Sequence, residues 1–299
     1  MVGSTIPRRA FGRFLRSIRE QAGATLLTAG LEIDTSKQTI LRLEDGLPTK
    51  VSTPQLKSLL DMYSVTPAVR AEVLLLWEEL KQQAKVAKLQ GVSTGWWQAY
   101  SRQYAPYFNH YLRLEAVADH LTSHQLVFIP GILQTPAYRR SLIETALPNL
   151  PEIDVSSRLE LAARRQERLA DNTFRVDALL SEAVLRHRIG GPAVTREQLQ
   201  RLQEAGAQDN ISIRVVPFNA GTHSGYSVDS FSMLEFPPLA SRLVEPPVVY
   251  VEGSEGALYL EHAEVIARFR QAVVSMKRVA LSENDTRDLV SSIAKEYAP

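Results

Sequence analysis

The stretch Thr35-Ser36-Lys37-Gln38-Thr39-Ile40-Leu41-Arg42-Leu43-Glu44-Asp45-Gly46 decides how the front of the chain folds. Ser36 offers a hydroxyl that can cap a helix start, and Gly46 is a natural C-terminal cap. Between them Ile40 and Leu43 share the face turned to a small core, which leaves Lys37, Gln38 and Arg42 pointing outward. Just upstream, Thr25 to Glu32 reads as another short helix, so a tight turn joins the two. That arrangement is a mechanical device for the DNA major groove, in which the second helix presents its N-terminal side chains to base edges.

Working outward, Phe11, Phe14, Leu15 and Ile18 recur at helical spacing, predicting a first helix that runs to about Ala22 and stops at Gly23. Thr53-Pro54 and Thr66-Pro67 each pair a capping hydroxyl with a proline suited to the first helical position, which starts a fourth and a fifth helix. The fifth carries Val69, Val73, Leu76, Leu80, Ala84 and Ala87 on one stripe and runs to about Gln90, before Gly91 and Ser93 loosen the chain. We therefore expect an all-α, five-helix domain over residues 1–90, its long last helix serving as linker, and a second domain over 91–299.

The whole-chain properties agree with two domains. A length of 299 residues is about twice the usual domain, and 44% hydrophobic with 22% charged residues is the balance of a globular protein with a sizeable core. The absence of cysteine excludes disulfides, thiolate zinc sites and cysteine nucleophiles. No run approaches the ~18 apolar residues of a membrane span, and a cytoplasmic protein is expected. The net charge is +1, yet residues 1–50 hold eight Lys/Arg against five Asp/Glu, a mild positive bias where phosphate would be met.

Beyond the linker the composition turns aromatic, with Trp96, Trp97, Tyr100, Tyr104, Tyr107, Phe108 and Tyr111, and helical periodicity continues to Leu121. Thr135-Pro136 caps a further helix after the Pro130-Gly131 break, and Arg158 to Leu169 reads as an arginine-rich one. Strand patterns follow at Phe174–Leu180, Ile211–Phe218, Val228–Phe236 and Val248–Val251, with a weaker fifth at Ala257–Leu260. Two helices, about His262 to Leu281 and Glu283 to Tyr297, close an α+β domain.

The candidate DNA-reading residues follow from reach and chemistry. Gln38 can bond adenine bidentately, Lys37 and Arg42 can reach guanine or phosphate, and Ser36 and Thr39 suit backbone contacts. Thr25, Arg9 and Arg13 complete the expected DNA-facing set.

The stretch from Arg9 to Val65 resembles the lambda-repressor-like, Xre-type helix-turn-helix regulators, with Gly23, Thr25, Ser36, Thr39, Ile40, Glu44 and Gly46 in step without a gap. Four positions depart from that pattern. Ala24 and Ala29 replace core leucines, Asp34 replaces the turn glycine, and Leu26 stands where a glutamine commonly bonds a DNA phosphate.

The second half resembles a domain of unassigned biochemistry that follows Xre-type helices in many actinobacterial regulators, some of them antitoxin-like. The matching pieces include Gly95-Trp96-Trp97, Tyr111-Leu112-Arg113-Leu114-Glu115-Ala116, Val127 through Tyr138, Arg165-Gln166-Glu167-Arg168-Leu169, Val215-Val216-Pro217-Phe218 and Val249-Tyr250-Val251-Glu252. The resemblance implies a regulator often accompanied by a small partner protein, and it implies no catalytic residues and no cofactor.

Other chemistry fares less well. His120 and His124, four apart on an expected helix, lack a third metal ligand, so no metal is expected. Gly190-Gly191-Pro192 lacks the lysine and hydroxyl of a phosphate loop and reads as a turn. Ser224, beside His223, lacks the spacing of a nucleophile elbow. Arg158, Arg164, Arg165 and Arg168, interspersed with Glu160 and Glu167, read as a solvated helical face, with an extended DNA surface the rarer alternative. Tyr226, Phe231, Tyr250, Glu252 and Tyr259 lie on or near strands, where they either line a cleft for a small ligand or partner peptide or serve as core and edge packing.

The reading is a sequence-specific, homodimeric transcriptional regulator of double-stranded DNA and not an enzyme, its second domain dimerising and sensing a ligand or partner. The alternative is an antitoxin-like protein whose main activity is binding a small partner protein.

Overall fold

A computed structural model describes residues 6–89, 99–100, 104–238 and 245–297. These divide into two units, one drawn from Met1–Gln98 with Pro237–Glu245, the other from Ala99–Phe236 with Pro246–Pro299. The expected linker at Gly91 and Ser93 and the Gly95-Trp96-Trp97 motif lie outside the described residues.

The first unit holds five helices among the described residues: α1 (Ile6–Gln21), α2 (Leu26–Glu32), α3 (Lys37–Glu44), α4 (Thr53–Met62) and α5 (Pro67–Leu89). Phe11, Leu15, Ile18, Ile40, Leu43, Leu56, Leu59, Val73, Leu76 and Leu80 form one core, each large apolar side chain contributing about 1.5–3 kcal/mol of burial. Of the α5 stripe, Ala84 is exposed. One start signal is displaced by a residue: Ser52, not Thr53, accepts the Gln55 amide in a capping box, which places Pro54 at the second helical position.

The second unit is a mixed six-stranded sheet in the order β3-β2-β1-β4-β5-β6. Its strands are β1 (His120–Gln125), β2 (Arg175–Ser181), β3 (Ile211–Val216), β4 (Phe231–Glu235), β5 (Val248–Gly253) and β6 (Gly256–Leu260). Strands β1, β2 and β3 run parallel. The others pair antiparallel, β4 against β1 and β6 in a hairpin with β5. Around the sheet lie α6 (Pro106–Glu115), α7 (Pro136–Ala146), α8 (Glu152–Gln166), α9 (Glu182–Arg186), α10 (Pro192–Ala205), α11 (Ala263–Val279) and α12 (Glu283–Glu296).

Alternation along β5 sorts these helices onto faces. Val249 packs with Phe231, Met233 and the α11 residues Ile266, Val273 and Met276. Its neighbour Tyr250, on the other face, meets Tyr111 of α6 at 4.6 Å between ring centres.

Strand β1 corrects the expectation of helix through Leu121 and of histidines on a helix. It lies inside the sheet between β2 and β4, and Thr122, Ser123 and His124 are buried there. A core strand made of hydroxyls and imidazoles carries no apolar alternation for the eye to find. His120 instead bonds Asp177 (3.3 Å) and Glu235 (2.9 Å), and His124 Nδ1 meets the Leu179 carbonyl at 3.2 Å. No group of three or more ligand-type residues suited to a metal occurs among the described residues.

Two further expectations are corrected. Helix α8 begins at Glu152, ahead of the expected Arg158, and Arg165 and Arg168 turn inward instead of forming a solvated or DNA-facing surface. Arg165 pairs with Glu115, while Arg168 donates to the backbone carbonyls of Glu115 and Ala118 and lies 4.0 Å from the centre of the Phe174 ring. Gly190 and Gly191 form the expected turn, both at positive φ before Pro192 opens α10. No helix among the described residues is long and apolar enough to cross a membrane.

Candidate functional site

Helix α3 is held at both ends and underneath. Ser36 accepts the Thr39 amide at 3.2 Å, a cap worth about 1 kcal/mol. At the other end Gly46 takes φ +67, and a side chain there would collide with the backbone of Arg9. Close approach of α1 also depends on Gly12, whose missing side chain would meet the Glu44 carbonyl. Beneath, Glu44 is 1% exposed and accepts from Arg19 at 2.6 and 2.9 Å and from Arg16 at 3.3 Å. Those bonds raise the Arg19 pKa, so the guanidinium stays charged.

The expected reading residues on α3 differ in exposure. Ser36, Lys37 and Gln38 are exposed, and Thr39 is half-buried with its hydroxyl 3.1 Å from that of Ser36. Arg42 is half-buried and donates to the Pro48 carbonyl at 3.3 Å. Thr25 is exposed and caps α2 in a capping box with Thr28. Beside α3 runs an open groove of about 570 Å³ lined by Thr39, Arg42, Lys50 and Gln55. Lys50, exposed on its rim, is a candidate phosphate contact that the sequence reading did not single out, because it falls in the loop after α3.

Arg9 and Arg13 are placed differently from expectation. Arg9 is 6% exposed and bonds Glu245 at 2.7 Å, and Arg13 reaches the same carboxylate at 3.0 Å. Leu26, half-buried, packs against the core together with Ala24, and Asp34 adopts φ +53 at the position of the turn glycine.

In the second unit Phe231, Tyr250 and Glu252 line a cavity of about 640 Å³, whereas Tyr226 and Tyr259 do not. Tyr226 is 71% exposed and stacks on His223, and Tyr259 donates to the Tyr107 carbonyl at 2.6 Å. The stretch around His223 is a single 3-10 turn, Ser224–Ser227, in which the His223 ring accepts the Gly225 amide.

The cavity opens at the carboxyl end of β1, beside β4, where the strand order reverses direction. Open sheets commonly bind ligands at such a point. Its far wall is the segment from Val127 to Tyr138, locked by Gln134 donating to the Ile129 carbonyl (2.7 Å) and Gln198 donating to the Leu133 carbonyl (2.9 Å). Arg165, 5% exposed, bonds Glu115 through two contacts of 2.7 Å, and Tyr111 donates to the same carboxylate at 2.9 Å. Burial alone would lower the Arg165 pKa, but the Glu115 charge reverses that and the net shift is upward. Burial and the Glu252 charge push the Tyr250 hydroxyl up, keeping it neutral.

Two family models match the chain: Helix-turn-helix domain over residues 10–73, and Domain of unknown function (DUF5753) over residues 108–292. The second match spans more than half of the sequence, and the chain belongs to that family. No curated protein and no solved structure matches it.

Proposed function

We propose that the chain is a sequence-specific, DNA-binding transcriptional regulator of the Xre type, in which α3 enters the major groove. Lys37, Gln38 and Arg42 read base edges, and Ser36, Thr39, Thr25 and Lys50 contact the backbone. The exposed, doubly capped α3 on a helix-turn-helix unit is the observation that carries this reading. As a homodimer the protein would engage two half-sites about one helical turn apart, which multiplies the contacts that one short helix can make. The second unit is then the dimerising and sensing part of a cytoplasmic, non-enzymatic regulator.

The test is a mobility shift of the duplex upstream of the protein's own coding sequence, paired with sedimentation of the free and bound protein. A retarded band holding two chains supports the reading. No retardation at low salt, where phosphate contacts are strongest, contradicts it.

A second reading, an antitoxin-like protein that binds a small partner protein, draws on Leu27 and Leu31, both exposed on α2 at 57% and 71%. Co-purification from the native host distinguishes it, because a stoichiometric small protein would remain bound in the absence of DNA.

A further inference from the structure

The cavity in the second unit is lined by aromatic rings and by the charged side chains of Arg139, Arg158, Arg165 and Glu252. Phe108 and Tyr111 stack at 5.5 Å with planes 18° apart, and Tyr111 meets Tyr250 at 4.6 Å. A volume of about 640 Å³ falls in the range of small-molecule sites.

The charges around it are unequal. Arg165 uses Nε and one terminal nitrogen on Glu115, which neutralises it and leaves Nη1 outside that pair. Arg139, half-buried, bonds only neutral groups, the Gln134 side-chain oxygen at 3.1 Å and the Tyr104 hydroxyl at 3.5 Å. It forms no ion pair with a carboxylate among the described residues. A half-buried guanidinium without a counter-charge is costly and favours an anionic guest.

Gly131 lies between these two side chains: a Cβ on it would sit 3.4 Å from Nη1 of Arg139 and 3.4 Å from Nη1 of Arg165, so the two guanidinium groups approach the same stretch of cavity wall. Two neighbouring planar guanidinium groups suit the two oxygens of a carboxylate. With Arg165 paired to Glu115, Arg139, bonded to neutral groups alone, supplies the charge for a single anionic group at this part of a lining that also holds Arg158 and Glu252.

We propose that this cavity binds a small planar aromatic carboxylate, its carboxylate held between Arg139 and Arg165 over Gly131 and its ring lying among Phe108, Tyr111 and Tyr250. This rests on the reading of the second unit as the sensing part and names the class of molecule sensed.

The experiment is isothermal titration of the full chain with 2-naphthoate, salicylate and indole-3-acetate, with 2-naphthamide as the uncharged match of the first. Saturable binding of at least one carboxylate is expected, with one site per chain, and 2-naphthamide should bind about tenfold or more weaker than 2-naphthoate. Arg139→Gln should weaken the bound carboxylate about 10- to 100-fold, as loss of a charge-assisted hydrogen bond does. Gly131→Leu should abolish binding by filling the space beside the two guanidinium groups. Arg140→Gln, on the neighbouring position of α7 and paired with Glu152 at the surface, should change nothing. Melting curves identify a variant that fails to fold, and either cavity variant alone suffices as the other's replacement.

No binding of any of the three acids at about 1 mM overturns the proposal. Equal binding of acid and amide, or undiminished binding by folded Arg139→Gln, does the same. A mobility shift run on the same samples separates the two readings: a chain that binds the acid but no DNA keeps this site and loses the regulator.

Discussion

Glu44 of α3 and Arg19 of α1 form a buried, two-bonded ion pair at 2.6 and 2.9 Å, and Arg19 also donates to the Ala24 carbonyl at 2.9 Å. One arginine thus fixes α3 to α1 and to Ala24, just ahead of α2. Glu44→Ala leaves a buried guanidinium without its partner, and a loss of about 3–5 kcal/mol is expected. Urea unfolding of the full chain, followed by the Trp77 signal of the first unit, measures it. A change below about 1 kcal/mol would show that the pair does not hold α3 in place.

Asp34 stands at φ +53, where an L side chain costs roughly 1 kcal/mol and glycine costs little. Asp34→Gly should therefore stabilise the first unit by about 0.5–1 kcal/mol, while Asp34→Val should destabilise it by at least as much. Calorimetry of the two variants decides; the opposite order would mean that the aspartate side chain contributes a local bond worth more than the strain.

His120 lies between Asp177 and Glu235, which together raise its pKa from 6.5 to about 9. A raised histidine stabilises fully below pH 6.5 and loses its contribution as pH climbs through 9. The carboxylates work in reverse. Burial opposes Asp177, but its bonds to His120 and Lys277 prevail, and His120 and Arg270 lower Glu235, each to about 2. Their contribution is present above the ordinary carboxylate range and fades as pH falls toward 2. The melting temperature of the second unit should thus be highest between about pH 4.5 and 6.5 and decline toward 9. His120→Gln should flatten the alkaline limb; an unchanged limb would remove His120 from the account.

Lys50 and Lys37 should separate position from readout. Lys50→Ala is expected to weaken all duplexes alike and to reduce the slope of log affinity against log salt by about 0.9, one counterion's share. Lys37→Ala should change which base is preferred at one position, at about 1–3 kcal/mol. Identical behaviour of the two variants across sequences would contradict the assignment.

The first unit was legible because its signals are local: Ser36, Thr66 and Gly46 mark helix ends within a turn of where they act, and Ile40 and Leu43 reveal the buried face by spacing alone. The partners of its arginines were not. Arg9 meets Glu245, 236 positions away, and no pattern in a short window encodes that. Strand β1 escaped for the opposite reason, since its buried Thr122, Ser123 and His124 are polar and look like surface. In the cavity, Phe231, Tyr250 and Glu252 stood out as aromatic and acidic positions on strands, but Arg139 and Arg165 lie in helices whose neighbouring carboxylates suggest solvent. Their shared approach to Gly131 is a tertiary relation that no short window of sequence encodes.

The most direct test of the account is selection of bound duplexes from a random pool by the full chain and by the triple variant Lys37→Ala, Gln38→Ala, Arg42→Ala. The account predicts that the parent protein enriches a two-fold symmetric site, and that a triple variant with an unchanged melting temperature enriches none while retaining weak, salt-sensitive binding. Recovery of the same site by both proteins at equal affinity, or of no site by the parent, would contradict it.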